Sequence, residues 1–371
     1  MRILHLLYES KGDPFGIGGV GIRAYEINKY LKDRHEITLL CKKYPGARDR
    51  EIEGLKHIFI GTESKNLTKT LLSYAHYSSL FVKKYCESFD IIIQEFSPAI
   101  PTLLHAFTRK PVVLQIQGYT GLKYFQKYNT FYAAALYLFE RFLPPSYRNF
   151  IFVSESSKKN YYIDESKNIE IISNGIAEES IKNKDTEESD YILFLGRIDI
   201  HHKGLDILLK AYKDFYHMFP GTRLVIAGDG RDRQKFSGLL QKLPADVRQN
   251  IELKGWVDGD GKADLFRKAS LVVMPSRYEA QSIVSLEAMA YGKPVVVSDI
   301  PELGFVTEKN AGISFKTGNP QSLAEAMRQF MTLTRDERAK IGQNGRSWAK
   351  DFTWDKIAIE YEDFLHKVLE K

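Results

Sequence analysis

The sequence contains little cysteine and no long apolar run. Cys41 and Cys86 are the only cysteines among its 371 residues, so a disulfide-stapled scaffold is excluded, and two thiols are typical of a reducing cytoplasm. No stretch of about 18 apolar residues occurs, which excludes a membrane-spanning helix in this sequence. Residues 1–14 lack a small-residue cleavage site and are predicted to begin a first β-strand rather than a signal peptide. We therefore expect a cytoplasmic protein.

Two kinds of binding motif are also missing. No cluster of His, Cys and acidic residues has the spacing of metal ligands, so no metal site is expected. The glycines of Gly16–Gly21, GIGGVG, do not have the spacing of a dinucleotide fingerprint. The second predicted strand is followed by Cys41-Lys42-Lys43, where a ribose-binding acid would stand in a dinucleotide-binding fold. A dinucleotide-dependent dehydrogenase is therefore not expected.

The net charge of +6 is unevenly distributed. Residues 1–175 carry 24 Lys and Arg against 17 Asp and Glu, a balance of +7, and the remainder has a balance of −1. The first half is therefore predicted to meet something anionic, such as phospholipid headgroups, nucleic acid or a phosphorylated acceptor. A basic surface that only keeps the protein soluble explains the same charge.

Short β-branched runs alternate with amphipathic segments of helical length along the chain. This pattern predicts repeated βαβ units and mostly parallel sheets, and the length suits two domains of moderate size. Seven runs in the first half and five in the second are predicted strands. The polar segment Ala177–Asp190 is interpreted as the linker between the halves. A final helix is predicted from Trp354 to Lys371 on its apolar spacing.

Ligands of open α/β sheets bind just beyond the carboxyl ends of the strands. The glycines of Gly16–Gly21 follow the first predicted strand and open a helix, where backbone N–H groups can approach an anion. A tight structural turn is the alternative reading of these glycines.

In the second half, the loop GRIDIHHKG follows a predicted strand and contains Arg197 and Lys203. A planar guanidinium and a compact ammonium suit a diphosphate, although two basic residues in a loop are commonplace. His201 and His202 are interpreted as loop residues.

Two further turns follow strands of the second half. The turn Ala227–Gly230, AGDG, either holds a nucleotide or only begins a helix. Trp256 follows the next predicted strand, and its ring either stacks beside a base or lies half-buried at an interface.

The strongest signal is Met274–Asp299, MPSRYEAQSIVSLEAMAYGKPVVVSD. A buried strand is predicted to end at its start, and a helix to begin near Ser282. The N–H groups of Ser282, Ile283 and Val284 are then available to a phosphate or a sugar hydroxyl.

Two glutamates belong to the same segment. Glu279 precedes the predicted helix, and Glu287 lies about one and a half turns inside it. Carboxylates at different depths suit a ligand several ångströms long, and each can accept hydrogen bonds from vicinal sugar hydroxyls. A structural role such as helix capping is the alternative.

With these motifs the chain resembles the family 4 retaining glycosyltransferases of the GT-B fold. The matching segments are GGVG, SNGI at Ser173–Ile176, GRIDIHHKG, AGDG, KGWV and PSRYEAQSIVSLEAMAYGKPVV. The resemblance implies an α/β fold of two Rossmann-like domains that face each other across a cleft. Residues 1–175 would form the acceptor-side domain, residues 176–353 the nucleotide-sugar-binding domain, and residues 354–371 a helix that crosses back to the first domain.

The resemblance also implies the site. The donor is a nucleotide diphosphate-sugar that serves as co-substrate, with no cofactor. Arg197 and Lys203 would bind its diphosphate, Glu287 its ribose hydroxyls and Glu279 the transferred sugar. Of the predicted donor-binding residues, Arg197, Lys203 and Glu279 are also the predicted catalytic residues. The full predicted donor-binding set is Gly19, Val20, Gly196, Arg197, Lys203, Gly228, Trp256, Val257, Glu279, Ser282, Ile283, Val284 and Glu287.

The sequence departs from the family pattern at two places. Ala280-Gln281-Ser282 stands where relatives carry Gly or Phe-Gly, and the Ser282 side chain either narrows the sugar pocket or caps the helix. Gln117 stands where many relatives have a histidine, and an amide cannot act as a general base. It can hold a sugar hydroxyl or orient an acceptor.

The substitution at Gln117 fits a retaining reaction without a protein base, and a metal-independent reaction is expected. The departing phosphate oxygen would take the acceptor proton, and Arg197 and Lys203 would stabilise the charge that develops on it. Asp258-Gly259-Asp260 matches the Asp-x-Asp pattern of a metal-binding motif, but it follows the strand that is expected to lie near the nucleotide base.

The expected acceptor is a glycan or a lipid-linked saccharide. The segment Lys123–Phe150 mixes basic and aromatic residues, which suit a membrane interface or a lipid-phosphate acceptor. A helix packed on its domain with a charged outer face is the alternative. Peripheral association with an anionic surface on the cytoplasmic face of the membrane is therefore an expectation, and nucleic acid is not an expected partner.

Two other functions fit the same architecture. A nucleotide-sugar epimerase would need acid and base residues around C2 of the sugar. An inactive relative that serves as a binding subunit would not need Arg197, Lys203, Glu279 and Glu287 together. The main expectation is transfer of a hexose-type sugar.

Overall fold

The protein is described here from a computed structural model, which covers residues 1–182 and 191–371. The chain divides into two compact units. The first comprises Met1–Asn174 and Trp354–Lys371, and the second comprises Gly175–Thr353. Each unit is built on one β-sheet with helices packed around it.

The regular elements alternate along the chain. The strands are β1 (Arg2–Leu7), β2 (Glu36–Lys42), β3 (Arg50–Ile52), β4 (Leu55–Ile60), β5 (Ile91–Glu95), β6 (Val112–Ile116), β7 (Asn149–Phe152), β8 (Asn168–Ile171), β9 (Tyr191–Leu195), β10 (Arg223–Ala227), β11 (Ile251–Gly255), β12 (Leu271–Met274), β13 (Val295–Ser298) and β14 (Gly312–Phe315). The helices are α1 (Gly19–Leu31), α2 (Leu67–Tyr85), α3 (Tyr124–Lys127), α4 (Thr130–Phe142), α5 (Glu155–Lys159), α6 (Glu178–Lys182), α7 (Leu205–Met218), α8 (Arg233–Leu240), α9 (Ala245–Arg248), α10 (Gly259–Lys268), α11 (Ile283–Ala290), α12 (Phe305–Glu308), α13 (Pro320–Thr332), α14 (Arg335–Ala349) and α15 (Trp354–Leu369).

The sheet of the first unit has the strand order β3-β4-β2-β1-β5-β6-β7-β8. Its strands are parallel except for β3, which pairs with β4 in the antiparallel sense. Strands β5 and β6 are buried along their whole length, as apolar parallel strands are when helices cover both faces of a sheet. Strand β1 pairs with both β2 and β5, so the connections diverge there. A ligand crevice is expected beyond the carboxyl end of β1.

The sheet of the second unit has the order β11-β10-β9-β12-β13-β14, and all its strands are parallel. Two apolar clusters of buried side chains lie on its two faces. Strand β9 pairs with both β10 and β12, so the winding reverses between β9 and β12. The loops after these two strands therefore border the place where ligands bind in such sheets.

Helix α15 completes the first unit by packing against α1. Glu362 on α15 accepts hydrogen bonds from Arg34 at 2.5 Å and from His35 at 2.6 Å, just beyond the end of α1. His366 lies beside them, and potential metal-ligand atoms of His35, Glu362 and His366 all lie within 4.8 Å of one another. The spacing along the sequence did not reveal this group because its members come from opposite ends of the chain.

Arg23 on α1 binds residues 172–174, the last residues of the first unit before the chain enters the second unit. Its guanidinium is fully buried and donates to the carbonyl of Ile172 at 2.9 Å, to the carbonyl of Ser173 and to Oδ1 of Asn174 at 3.2 Å. Burial lowers the pKa of Arg23 to about 10, so the side chain keeps its charge at neutral pH. These acceptors offset the cost of burying that charge.

Helix α14 approaches the end of α11 through glycines. A Cβ atom on Gly342 would lie 1.9 Å from the carbonyl oxygen of Gly292, and one on Gly345 would lie 3.0 Å from Cβ of Ala311. Gly292 itself has φ of +66°, a left-handed conformation that favours glycine. Gly342 and Gly345 therefore set how closely α14 packs against Gly292 and Ala311.

The twelve predicted strands are all present, with ends that differ by at most two residues. Two strands were missed. β3 is only three residues long and largely exposed, and β14 begins with glycine. The predicted linker Ala177–Asp190 needs correction at its start, because α6 forms there and Ile181 packs on a core cluster of the second unit. The rest of that predicted linker, residues 183–190, lies outside the described residues.

Within residues 1–182 and 191–371, no helix combines the length and the apolar composition that a membrane span requires. Cys41 and Cys86 are both buried free thiols.

We predict that Gly342→Ala destabilises the protein by about 1–3 kcal/mol, because the added methyl group meets the backbone of Gly292 and overpacks the helix contact. Gly238→Ala is the matched control. Gly238 also lies within a helix, α8, but a Cβ there meets nothing within 4 Å, so this variant should gain about 0.5–1 kcal/mol. Urea unfolding measures both. Equal effects of the two substitutions would contradict the close approach.

Candidate active site

Four loops gather at the carboxyl edge of the second sheet, after β9, β10, β11 and β12. Gly228 N–H donates to the carbonyl of Gly255 at 2.6 Å, and Arg277 N–H donates to the carbonyl of His202 at 2.9 Å. The backbones also approach closely. A Cβ on Gly228 would lie 1.9 Å from the Gly196 oxygen, and a Cβ on Gly204 would lie 1.9 Å from the Pro275 oxygen. The loops after β9 and β12 are therefore held in fixed register at the switch point.

Lys203 and Glu279 form an ion pair between these two loops. Nζ of Lys203 lies 2.5 Å from Oε1 of Glu279, and Oγ of Ser276 donates to the same oxygen at 2.7 Å. Both charged side chains are largely buried, with 15% and 9% of their surface exposed. Burial raises the pKa of Glu279, but the nearby Lys203 charge and the hydrogen bonds from Lys203 and Ser276 outweigh it, so its pKa lies below the usual value. Glu279 is therefore a carboxylate at neutral pH.

His202 lies beside this ion pair, although it was interpreted as a loop residue. Its Nδ1 atom is buried and has no hydrogen-bond partner among the described residues. Burial and the neighbouring charges of Lys203 and Arg197 lower the pKa of His202 to about 4. The imidazole is therefore neutral at pH 7. Its proximity to Glu279, 77 positions further along the chain, arises from the fold and could not be read from the sequence HHK alone.

Arg277 and Asp206 hold the loop after β12, and the sequence did not indicate either of them. The Arg277 guanidinium makes a bidentate pair with Asp206 on α7, with both N···O distances 2.8 Å. It also donates to the carbonyl of His201 at 2.8 Å. Planar, bidentate pairs of this kind fix geometry as well as charge. The pair therefore holds in place the loop that carries Glu279.

Helix α11 begins as predicted, and the structure decides between the two roles considered for Ser282. Its side chain accepts from Ser285 N–H at 3.1 Å and caps the helix. The cap leaves Ile283 and Val284 in the first turn, where an α-helix does not pair N–H groups internally. The expected contact of the Ser282, Ile283 and Val284 N–H groups with a phosphate or a sugar hydroxyl stays a prediction.

Glu287 lies one turn further along α11. Its Oε1 accepts from Nζ of Lys262, on α10, at 2.5 Å. Its Oε2 is buried, and no hydrogen-bond partner lies within residues 1–182 and 191–371. An unpaired buried carboxylate oxygen is costly, and it is a ready acceptor for a hydroxyl group. Lys262 was not anticipated, since it lies 25 positions away on another helix.

The remaining predicted positions of this unit differ in exposure. Arg197 is exposed, and within the described residues no ion pair to its guanidinium is present. Trp256 is 59% exposed, and both readings of its ring stay predictions. Val257 is partly buried against a core cluster of the second unit. Gly196 and Gly228 form the close backbone approach described above.

The first unit places Gln117 over a buried polar network. Nε2 of Gln117 donates to Oε2 of Glu95 at 3.2 Å, and Nε2 of Gln115 donates to Oε1 at 2.6 Å. Nε2 of His5 lies 3.2 Å from the same Oε1. Glu95 and His5 are almost fully buried. The network orients the Gln117 amide at the carboxyl end of β6.

Gly19 and Val20 begin α1 in the first unit. Glu9, in the loop after β1, accepts from Gly18 N–H at 2.8 Å and from Gly21 N–H at 2.9 Å through one oxygen. A carboxylate is stabilised at a helix N-terminus for the same reason that a phosphate is. An incoming anion would therefore share this helix end with Glu9, which the sequence analysis did not foresee.

Comparison with known proteins agrees with this architecture. Residues 17–180 match the description Glycosyltransferase Family 4, and residues 176–348 match Glycosyl transferases group 1. An uncharacterized glycosyltransferase of Methanocaldococcus jannaschii is 28% identical over 97% of this chain and 97% of that protein. Sucrose-phosphate synthase of Thermosynechococcus elongatus superposes with a TM-score of 0.81 over 100% of both chains at 17% identity. HepE of Anabaena, in complex with UDP and glucose, has a TM-score of 0.74 over 99% of this chain and 100% of that chain at 17% identity.

The two sheets with their switch points, together with these structural likenesses, show the GT-B fold. The chain belongs to the family 4, group 1 glycosyltransferases. The expected fold class is confirmed.

We predict that His202→Gln makes stability less sensitive to acid. The pKa of His202 is about 4 in the folded protein and about 6.5 in an unfolded chain. Between these pH values the unfolded chain binds more protons, so the free energy of unfolding falls as the pH is lowered. The variant should lose this contribution, which is at most about 3 kcal/mol.

Urea unfolding at about pH 7 and about pH 4.5 measures the difference. His201→Gln is the control, because His201 is exposed and adjacent. If wild type and His202→Gln lose stability in parallel on acidification, the assignment of a neutral His202 is wrong.

Proposed function

We propose that the protein is a retaining, metal-independent glycosyltransferase that moves a hexose-type sugar from a nucleotide diphosphate-sugar to a glycan or a lipid-linked saccharide. The observation that carries this proposal is the position of Lys203, Glu279 and Glu287 around the β9–β12 switch point. An acid, a cation and a helix N-terminus lie together where α/β sheets bind nucleotides.

The donor fits this position part by part. The unpaired Oε2 of Glu287 would accept a ribose hydroxyl. The exposed guanidinium of Arg197 and the Lys203 ammonium would bind the diphosphate. Glu279, held as a carboxylate, would accept from hydroxyls of the transferred sugar. The complex of HepE with UDP and glucose supports a nucleotide-sugar as the donor class.

The other predicted donor contacts keep their roles as proposals. Trp256, with an exposed ring, and Val257 would lie beside the base. Gly196 and Gly228 let backbone approach the ligand, and the first turn of α11, from Ser282 to Val284, would meet phosphate or sugar oxygens. In the first unit, Gly19 and Val20 would bind an anionic group of the donor. Glu9 already accepts hydrogen bonds from Gly18 and Gly21 at this helix start, so the donor anion would bind beside the Glu9 carboxylate.

The reaction would proceed with retention at the anomeric carbon. The bond from C1 to the diphosphate oxygen breaks, and its electron pair leaves with the diphosphate. The acceptor oxygen forms the new bond to C1 on the same face, and its proton passes to the departing phosphate oxygen. Arg197 and Lys203 would stabilise the negative charge on the leaving group, which is the role a metal ion plays elsewhere. Glu279 would stabilise positive charge on the sugar ring.

Gln117 fits a positioning role on the acceptor side. Its amide already donates to buried Glu95, so its carbonyl oxygen is directed by that bond. It would orient a hydroxyl of the acceptor or sugar without taking a proton.

A cytoplasmic location is part of the proposal, and the two buried free thiols, Cys41 and Cys86, support it.

A surface on the first unit suits a membrane. We define the aromatic surface as the exposed apolar side chains of the α3–α4 region and Tyr162. Phe131 is 90% exposed and Phe142 is 67% exposed. The Arg141 guanidinium lies 3.5 Å from the Tyr162 ring centroid. Aromatic residues beside cations are typical of proteins that lie in the headgroup region. The full exposed apolar set is Leu122, Phe125, Tyr128, Phe131, Leu138, Phe139, Phe142 and Tyr162.

The charge of the aromatic surface complements anionic lipid. The only acid between residues 121 and 150 is Glu140. It is buried and accepts from the N–H groups of Thr120 and Gly121 and from Tyr124 OH. Burial raises the pKa of Glu140. Its charge is therefore directed inward, and the outer surface of the segment is basic.

We predict that Arg197→Ala and Lys203→Ala each lower kcat by about 100-fold or more, because each removes a charge that stabilises the departing diphosphate. Release of the nucleoside diphosphate from UDP-, GDP- and ADP-sugars gives the rate, and thermal stabilisation by the same donors reports binding. Arg328→Ala is the control, since its guanidinium is exposed in the same unit and pairs with Glu325 on its own helix, α13. Unchanged turnover in both active-site variants would refute the mechanism. A chain that binds no donor in the panel would instead be a binding subunit.

We predict that Phe131→Ser with Phe142→Ser weakens binding to anionic vesicles about tenfold or more, because two side chains lose their apolar burial. Flotation with phosphatidylglycerol vesicles at low salt measures the bound fraction. Ile359→Ser is the matched control, an exposed apolar residue of the same unit outside the aromatic surface. Failure of the unmodified protein to bind these vesicles would overturn the membrane proposal and leave the transfer reaction untouched.

A further inference from the structure

Three side chains with metal-binding atoms meet on the first unit, where α15 packs against α1. They are His35, in the turn between α1 and β2, and Glu362 and His366 on α15. One potential ligand atom from each residue lies within 4.8 Å of the other two. Glu362 and His366 are four positions apart, which places them on the same face of the helix. The packing of α15 on α1 brings His35 to that face.

The distances between these side chains are close to those around a single metal ion. Nε2 of His35 lies 2.6 Å from Oε1 of Glu362, and the ring centroids of His35 and His366 are 6.1 Å apart. Ligand atoms of a tetrahedral zinc ion lie about 3.3 Å from one another, because each stands about 2.0–2.2 Å from the metal. Small side-chain movements therefore suffice to bring the three atoms into this geometry.

The chemistry of the three side chains selects the class of metal. Imidazole nitrogen suits Zn²⁺ and its transition-metal neighbours, whereas Mg²⁺ and Ca²⁺ prefer oxygen ligands alone. Two imidazoles and one carboxylate supply three of the four ligands of a tetrahedral zinc ion. His366 is exposed, so water can reach the fourth position.

The two largely buried side chains are in the forms that a metal requires. Burial lowers the pKa of His35 below its usual value, so its imidazole is neutral at pH 7. The hydrogen bond from Arg34 lowers the pKa of Glu362, which is therefore a carboxylate. Zinc binds the neutral imidazole and the ionised carboxyl group, so no unfavourable change of charge state precedes binding.

Two nitrogen groups lie next to these side chains, and both positions are compatible with a bound metal. Arg34 donates to Oε2 of Glu362 at 2.5 Å and to Oε1 at 3.1 Å. Carboxylates that bind metals are themselves hydrogen-bonded by outer groups, so Arg34 can keep Oε2 while a metal takes Oε1. The nitrogen of Met1 lies 3.2 Å from Nδ1 of His35. Nε2 is therefore the ring nitrogen that faces Glu362.

The three side chains are separate from the candidate active site. His35 directly precedes β2, so it lies at the amino edge of the first sheet. The glycines of Gly16–Gly21 follow β1 and Gln117 follows β6, which places both at the carboxyl edge. The seven residues of β2 separate the two edges by about 20 Å. A metal bound by His35 would therefore act on the packing of α15 and not on the transferred sugar.

We propose that His35, Glu362 and His366 bind one zinc ion, with water as the fourth ligand. Zn²⁺ takes the place of the hydrogen between Nε2 of His35 and Oε1 of Glu362, and one proton is released to solvent. Because the ligands come from opposite ends of the chain, the metal joins α15 to the turn after α1. It therefore stabilises the first unit. This inference does not depend on the proposed transfer reaction.

Isothermal titration with zinc chloride at neutral pH tests the proposal on the full chain without an added histidine tag. We expect one zinc ion per chain and no comparable binding of Mg²⁺, because hard cations prefer oxygen ligands. His366→Gln removes a ligand at an exposed position and should weaken zinc binding about tenfold or more. Thermal unfolding gives a second readout. Zinc should raise the Tm of the unmodified chain and raise that of His366→Gln less.

His76→Gln is the matched control. His76 is an exposed histidine on α2 of the same unit and is not one of the three side chains, so zinc binding should be unchanged. His35→Gln removes the ligand outside α15 and should also weaken binding. If circular dichroism shows that His35→Gln is unfolded, the His366→Gln result decides. Absence of zinc binding by the unmodified chain overturns the proposal. Equal affinity of His366→Gln and the unmodified chain does so as well.

Discussion

The close approach of backbones at the carboxyl edge of the second sheet is the constraint on which the candidate site depends. The backbone of Gly228 packs against the Gly196 carbonyl, and the backbone of Gly204 packs against the Pro275 carbonyl. A Cβ atom at either glycine would lie 1.9 Å from the carbonyl oxygen, so no side chain fits. Both Gly204 and Gly228 also have positive φ. Because these close approaches join the loops after β9, β10 and β12, side chains far apart in the sequence acquire one fixed arrangement. The charged groups are then positioned before any ligand arrives, which is the condition for electrostatic catalysis.

The charges at this site compensate one another in the absence of ligand. Glu279 has Lys203 as its partner and Glu287 has Lys262. These pairs lower the cost of burying four charges. The Glu287 carboxylate can still accept further hydrogen bonds, because its Oε2 has no partner among the described residues. The neutral His202 fills the space beside the first pair without adding a charge. A ligand with both anionic phosphates and donor hydroxyls can therefore redistribute existing contacts instead of creating all of them.

Much of this could be predicted from the sequence, because the information was local. Each core strand is a short apolar run, and the start of α11 is marked by the side chain of Ser282, which caps it. The partners of the site residues were not local. Lys262, Asp206 and Glu95 reach Glu287, Arg277 and Gln117 only through tertiary packing. Strand β3 was missed because its stability comes from pairing with β4 and not from its own three residues. Glu9 was overlooked because a single acid in a glycine-rich loop has no sequence signature.

The inclusion of α15 in the first unit has a consequence for synthesis on the ribosome. Residues 1–174 emerge long before Trp354–Lys371, and the whole second unit is translated in between. At typical elongation rates, the nascent first unit waits roughly 10–35 s for its last helix. During that interval the face of α1 that α15 later covers, and the Arg34–His35 turn that Glu362 later binds, remain exposed to solvent and chaperones. The second unit is contiguous and has no such delay, so it is the one able to finish folding while the first is still incomplete.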